Sequence, residues 1–253
     1  MIPRVSNIPR GHRRRAGESL ETSLVERLLD IQAAGLLVIM AGALLVLHLV
    51  WPEVPVWAFP AVMVLFGTYI VGRNVPQLVK LDHGLAAERK VGDSLDMLIA
   101  YGGRILHDVP FGADKIDHVV VSKQGIFVVE THHLPKQKID TGLLRYHQGR
   151  LIKSSGPVKG QPEFRVKRNA SHIADILHAA GFTETQVDPV LIVPGWSLTG
   201  NRDKDEAMVF DTSGFAQWLQ AQPSAMDATA IKDTFGAIRS YVDRQTDEQK
   251  HRM

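Results

Sequence analysis

The sequence predicts an α/β domain, a mixed sheet with helices on both faces, preceded by a two-helix transmembrane hairpin. Three observations predict it. Two uncharged apolar runs lie close together, at residues 33–50 and 56–72. A strand–turn–strand pattern rich in β-branched residues fills Lys115 to His133. Stretches with helical periodicity stand on either side of it, at 84–103 and 161–181.

Composition sets the outer bounds. A chain of 253 residues holds one ordinary domain plus a smaller unit. The formal net charge is only +2, so local clusters, not the overall balance, must indicate partners. The chain has no cysteine, which excludes disulfides, thiolate nucleophiles and Cys-ligated zinc.

The first apolar run, AAGLLVIMAGALLVLHLV, is uncharged apart from the titratable His48. The second is VWAFPAVMVLFGTYIVG. Each is near the lower limit for a helix that crosses a bilayer, about 17 residues. Trp51, Trp57 and Tyr69 lie near the ends, where interfacial aromatics belong. The link WPEVP is too short for anything but a tight hairpin, so both outer ends face one side. Arg4, Arg10, Arg13, Arg14, Arg15 and Arg27 precede the first run. Arg73 and Lys80 follow the second, and the hairpin carries only Glu53. The positive-inside rule then places both termini in the cytoplasm, on the inner face of the cytoplasmic membrane. Ahead of the first span, Leu20, Leu24, Leu28 and Ile31 mark an amphipathic helix running into it. Residues 1–31 thus read as a basic cytoplasmic tail with that helix, its arginines drawn to anionic lipid heads. Residues 32–73 read as the two spans.

From residue 82 the composition is that of a soluble domain. A helix starts near Gly84, with Glu88, Val91, Leu95 and Leu98 on one stripe. A strand follows at 104–109, then the β-branched hairpin. Short strands fit 139–153. The helix at 161–181 has Pro162 in its first turn and Gly181 as its stop. Residues 187–195 read as a buried strand. Asp211, Thr212 and Ser213 can cap a short helix through Leu219, and a last helix covers about 227–244, with a frayed tail.

Two acids look out of place in the hairpin: Asp117 opens one apolar run and Glu130 closes the next. Buried strands rarely carry acids without a partner. Glu88 puts a third carboxylate on a core-facing surface. A two-residue turn at Lys123–Gln124 would set Asp117 directly opposite Glu130. Gly125 also suits a three-residue loop with a bulge, which shifts the register and splits the acids. Both strands are apolar on both faces, so the pattern does not choose.

A basic region runs through Arg145, Arg150, Lys153, Lys159, Arg165, Lys167 and Arg168, joined by Lys136 and Lys138. Between 145 and 168 the one acid is Glu163. The expected partner is a nucleic-acid phosphate backbone, bound in a salt-sensitive way. Nearby aromatics are sparse, Tyr146 and Phe164, so base stacking has little to work with. The plain alternative is a solvated helix face.

An acid on the first helix, an acid opening a strand, and acid-x-basic closing the next resembles the PD-(D/E)xK nucleases. More narrowly the chain resembles the nuclease-related domain, NERD. The matching stretches are GLAAE (84–88), KIDHVVVSKQGIFVVETH (115–132) and QPEFR (161–165), within residues 82–195. Residues 196–253 read as a helical extension of the same domain.

The resemblance implies a restriction-endonuclease-like sheet and a catalytic set of Glu88, Asp117, Glu130 and His132. It also implies Mg²⁺ or Mn²⁺ held by Asp117, Glu130 and the Thr131 carbonyl, and hydrolysis of DNA at the cytoplasmic face. Four positions depart from the family pattern. Ala87 stands for a glycine, His132 for the lysine of Glu-x-Lys, and Gln161 and Arg165 for an asparagine and a glutamine. His132 could serve as a neutral base, whereas Arg165 can only grip a phosphate with its fork. Two functions follow. One is a membrane-anchored nuclease. The other is a membrane-bound scaffold for DNA, or for proteins of a membrane complex, that keeps the fold without turnover. His132 and Arg165 favour the second. The retained acids favour the first.

Overall fold

The computed structural model describes residues 15–51, 58–112, 114–183, 185–199 and 206–250. The chain divides into two compact units, residues 18–86 and the remainder. Arg4, Arg10, Arg13, Arg14, Glu53 and Trp57, invoked above for topology, lie outside the described residues, as does the tail from 251.

The first unit holds α1 (Glu18–Val50) and most of α2 (Ala58–Asp96). The amphipathic stretch does run into the first apolar run as one helix. Both helices are long and apolar enough to cross a membrane by length and composition. They carry exposed Leu36, Ile39, Leu45 and Leu49 on α1 and Phe59, Val62, Leu65 and Phe66 on α2. Small residues let them approach. Ala34 and Ala41 are buried, and a Cβ on Gly67 would lie 3.1 Å from Val38 Cγ2 and 3.2 Å from the Ala34 carbonyl. Arg27 Nη1 donates to Asn74 Oδ1 at 2.7 Å.

One expectation is corrected here. No new helix starts near Gly84, because α2 continues unbroken to Asp96. Asn74 Nδ2 donates back to the Ile70 carbonyl, four residues earlier, so it supports the helix instead of stopping it. Pro76 is accommodated inside.

In the second unit, a 3₁₀ turn (Met97–Tyr101) leads to β1 (Arg104–Phe111), β2 (Asp114–Ser122) and β3 (Gly125–Thr131). Then come β4 (Leu143–His147), β5 (Arg150–Lys153), β6 (Gly156–Pro157), α3 (Pro162–Ala179) and β7 (Val187–Ile192). Last are β8 (Ser197–Leu198), β9 (Met208–Phe210), α4 (Gly214–Gln220) and α5 (Ala228–Lys250). The last helix therefore outruns the expected end near 244. Ser213 precedes α4 without a side-chain capping bond. Asp211 instead accepts the Gly195 and Thr212 amides, each at 2.7 Å.

The main sheet has the order β1-β2-β3-β7-β9 and a second sheet the order β6-β5-β4-β8. In the main sheet β1, β2 and β3 are antiparallel, while β3, β7 and β9 are parallel. This mixed α/β arrangement, two sheets flanked by helices, is broadly consistent with the restriction-endonuclease-like architecture expected. Alternation in β2 and β3 divides the core. Val119, Val121, Ile126 and Val128 face one apolar cluster with Val166, Ile173 and Ile238 of α3 and α5. Val120, Phe127 and Val129 face the other, with Val91, Leu95 and Phe215.

The open question of register resolves. Ser122 pairs with Gly125, so the β2–β3 turn has two residues, Lys123 and Gln124. Ser122 Oγ accepts the Gln124 amide at 3.3 Å and donates to the Gly125 carbonyl at 3.3 Å, which folds the turn tightly. Gly125 has φ 145°, a conformation that suits glycine.

Candidate functional site

The site grows from the strand ends of β1, β2 and β3. In β2, Lys115 and Asp117 alternate onto the face that carries Val119 and Val121. In β3, Glu130 follows Ile126 and Val128 onto that same face. The two-residue turn therefore brings Asp117 and Glu130 to opposed positions on one face of the sheet. Both are nearly inaccessible, as is Glu88 on α2.

A fourth acid joins them. Asp108 of β1 is fully buried, and the β1–β2 register sets it across from Asp117. Its φ is 51°, unusual for a residue other than glycine. Ladder pairing is broken there, between the His107–His118 and Val109–Ile116 pairs. His118, beside Asp117, turns to the other face, where its Nδ1 lies 2.8 Å from His107 Nδ1.

Two cations of the chain itself meet these acids. Lys115 Nζ donates to Asp108 Oδ1 at 2.5 Å and to Glu88 Oε1 at 2.9 Å, and lies 3.7 Å from Asp117 Oδ1. Arg165 Nη2, in the first turn of α3, lies 2.7 Å from Glu130 Oε2. Asn169, one helical turn on and fully buried, donates to Glu130 Oε1 at 2.7 Å. Backbone amides complete the shell. Thr131 donates to Asp117 Oδ2 at 2.8 Å, and Gly17 to Glu88 Oε1 at 3.0 Å.

Burial, then the Asp117 charge, pushes Glu88 up to about 7 against the pull of Lys115. Burial and Asp117 likewise push Glu130 up to about 8, against Arg165 and Asn169. Burial also raises Asp117, opposed by Lys115 and the Thr131 amide. Burial works against the Lys115 charge, yet Asp117, Glu88 and Asp108 hold its ammonium above the ordinary lysine range. His132, leaving β3, is pushed down to about 4 by burial and then by Arg165 and His133. It is neutral at pH 7, so it cannot supply the fixed charge of a lysine at that position.

The chain's own cations already engage oxygens that a divalent ion would need. Mg²⁺ needs convergent oxygen lone pairs in near-octahedral geometry. Lys115 takes an oxygen of Glu88 and of Asp108 and stands nearest the first oxygen of Asp117, whose second accepts the Thr131 amide. Arg165 and Asn169 engage both oxygens of Glu130. Thr131 faces Asp117 through its N–H. Among the described residues no group of three or more His, Cys, Asp or Glu side chains is arranged to hold a metal ion.

The seven expected nucleic-acid contacts separate into two groups. Lys153 pairs with Asp140 at 3.3 Å, Arg165 with Glu130, and Arg168 with Asp114 at 3.3 Å. Arg145, Arg150 and Lys159 are exposed, and Lys167 is half-buried. Arg145 and Arg150 share the outer face of the β4–β5 hairpin with His147 and Ile152. Counting only the acids between 145 and 168 overstated the free charge, because Asp114, Glu130 and Asp140 arrive from other elements. Asp108 and Lys115 were missed. The available signal was that Lys115 stands two residues before Asp117 and so shares its strand face.

Comparison with known proteins agrees with this region's reading. Residues 83–194, somewhat under half the chain, match the family model of the nuclease-related domain, NERD. No curated protein and no solved structure matches the chain.

The Glu130 carboxyl titrates where a pH test can reach it. Its pKa is raised in the folded protein, so its contribution to stability is full below its ordinary value of 4.5 and is lost as pH rises through about 8. Glu130→Gln removes that titration and leaves a pH-independent offset. The variant's stability relative to wild type should therefore climb between about pH 5 and about pH 8, with a slope of up to about 1.4 kcal/mol per pH unit. A difference that stays flat across that range would refute the raised pKa.

Proposed function

We propose that this protein is a membrane-anchored, nuclease-fold protein that holds nucleic acid by its phosphate backbone without cutting it. The observation that carries this reading is the capture of the site's four carboxylates by Lys115 and Arg165. Those two side chains supply the positive charge that a catalytic metal would otherwise bring. Neutral His132 adds none. The grip on nucleic acid is assigned to Arg145, Arg150, Lys159 and Lys167.

Membrane anchoring is supported by the apolar side chains exposed along α1 and α2, which water would disfavour. The arginines flanking the spans favour both termini on the cytoplasmic side. A reporter fused after Met253 should be active only if it works in the cytoplasm; activity of a periplasm-specific reporter there would overturn the topology.

The decisive assay incubates the full chain in detergent with plasmid DNA and Mg²⁺ or Mn²⁺, with Asp117→Ala as control. The expected result is salt-sensitive retention of DNA and no cleavage by either protein. A second reading, metal-dependent hydrolysis by a PD-(D/E)xK nuclease, is favoured by the opposed placement of Asp117 and Glu130 on one sheet face. Cleavage that needs the divalent ion and is lost in Asp117→Ala would select it. Under that reading His132→Lys should raise the rate, by adding a fixed charge.

A further inference from the structure

We propose that Lys115 is a tethered counter-cation that excludes divalent ions from the pocket formed by Glu88, Asp108 and Asp117, and that removing its ammonium opens a divalent-cation site there. This rests on the reading of the site as internally neutralised and adds the means by which metal is kept out.

The pocket already binds a cation. An ammonium has three donors. Here they meet Glu88 Oε1 at 2.9 Å and Asp108 Oδ1 at 2.5 Å, with Asp117 Oδ1 at 3.7 Å. All three acids are at least nine-tenths buried. Their oxygens converge on one small volume, and what sits in it is a single positive charge. The donors are all carboxylate oxygens, which suits hard ions such as Mg²⁺, Mn²⁺ or Ca²⁺.

The tether decides the competition. Lys115 lies on the same strand as Asp117, two residues away, so its ammonium is always at hand at a high effective concentration. A free ion must displace it and leave the amine without its carboxylate partners. Glu130 is engaged elsewhere: Arg165 Nη2 lies 2.7 Å from its Oε2 and Asn169 donates to its Oε1. The ligand set thus differs from the one that resemblance implied: Asp108 is in it, and Glu130 and Thr131 are not.

Lys115→Met keeps the bulk of the stem and removes the charge. Three buried carboxylates then face one another without a counter-ion, which raises their demand for a divalent one. The test is Mn²⁺ titration of the full chain in detergent at neutral pH, reading free Mn²⁺ by its electron paramagnetic resonance signal. Wild type should show no saturable site up to about 1 mM, and Lys115→Met should bind one equivalent at least about 100-fold more tightly than that limit. Adding Asp108→Asn should weaken the new site by about tenfold or more, since it removes one charged ligand. Lys115→Arg, which keeps the charge, should exclude Mn²⁺ as wild type does.

Saturable micromolar binding by wild type would overturn the proposal by itself, whatever the variants do. So would a folded Lys115→Met protein, checked by circular dichroism, that takes no Mn²⁺. DNA binding measured in EDTA reports separately on the proposed function, so failure of either reading can be told from failure of the other.

Discussion

Replacing Lys115 by methionine is expected to destabilise the protein by about 3–5 kcal/mol near pH 7.5, the range for breaking a buried ion pair by removing one partner. The ammonium is the shared partner of Glu88 and Asp108 and the nearest cation to Asp117. Without it, these buried acids must either stay charged and unpaired or take up protons. Protonation becomes easier as pH falls, so the loss should shrink towards pH 5. Arg165→Met should cost less. Glu130 would keep the Asn169 amide, and with its carboxyl already pushed up to about 8 it accepts a proton readily. Denaturant unfolding followed by tryptophan fluorescence, at both pH values, separates these cases. A loss below about 1 kcal/mol for Lys115→Met would mean that the ammonium is not the counter-ion of the cluster.

Much of this arrangement is legible in the sequence. The β-branched runs around Lys123–Gln124 mark the hairpin, and the pattern of three acids with QPEFR points to the region that becomes the site. The register could not be read, because Val119, Val120, Val121 and Ile126 to Val129 are apolar on both faces and are buried on both. It is set locally, by Ser122 Oγ bonding within the turn, which periodicity does not report. Asp108 was hidden for a different reason. Its site membership depends on a left-handed backbone at that one residue and on a pairing between strands, and neither leaves a mark on its own segment. The continuity of α2 was missed because the apolar run stops at Gly72 and polar residues follow, whereas the helix runs on to Asp96. In the basic region the compensating acids lie far away in sequence. Asp114 is 54 residues from Arg168, and Asp140 is 13 from Lys153.

That distinction between cations with and without a salt bridge gives the second large effect. If Arg145, Arg150, Lys159 and Lys167 each neutralise one phosphate, log Kd for duplex DNA should rise with log salt at a slope of about 3.6, since each contact contributes about 0.9. Between 50 and 200 mM salt the affinity should then fall by about 100-fold. Exchanging all four for glutamine should bring the slope close to zero and abolish measurable binding at the higher salt. Lys153→Gln and Arg168→Gln should change the slope by clearly less than a full contact each, because Asp140 and Asp114 already compete for those charges. Little sequence preference is expected, because the outer face of the β4–β5 hairpin offers Arg145, His147, Arg150 and Ile152 and no tryptophan, tyrosine or phenylalanine on which bases could stack. Equilibrium binding by anisotropy over a salt series, with duplexes of unrelated sequence, reads all of this. If the fourfold variant keeps the wild-type slope, the phosphate contacts lie elsewhere, and the assignment of the nucleic-acid face to the second sheet and α3 is wrong.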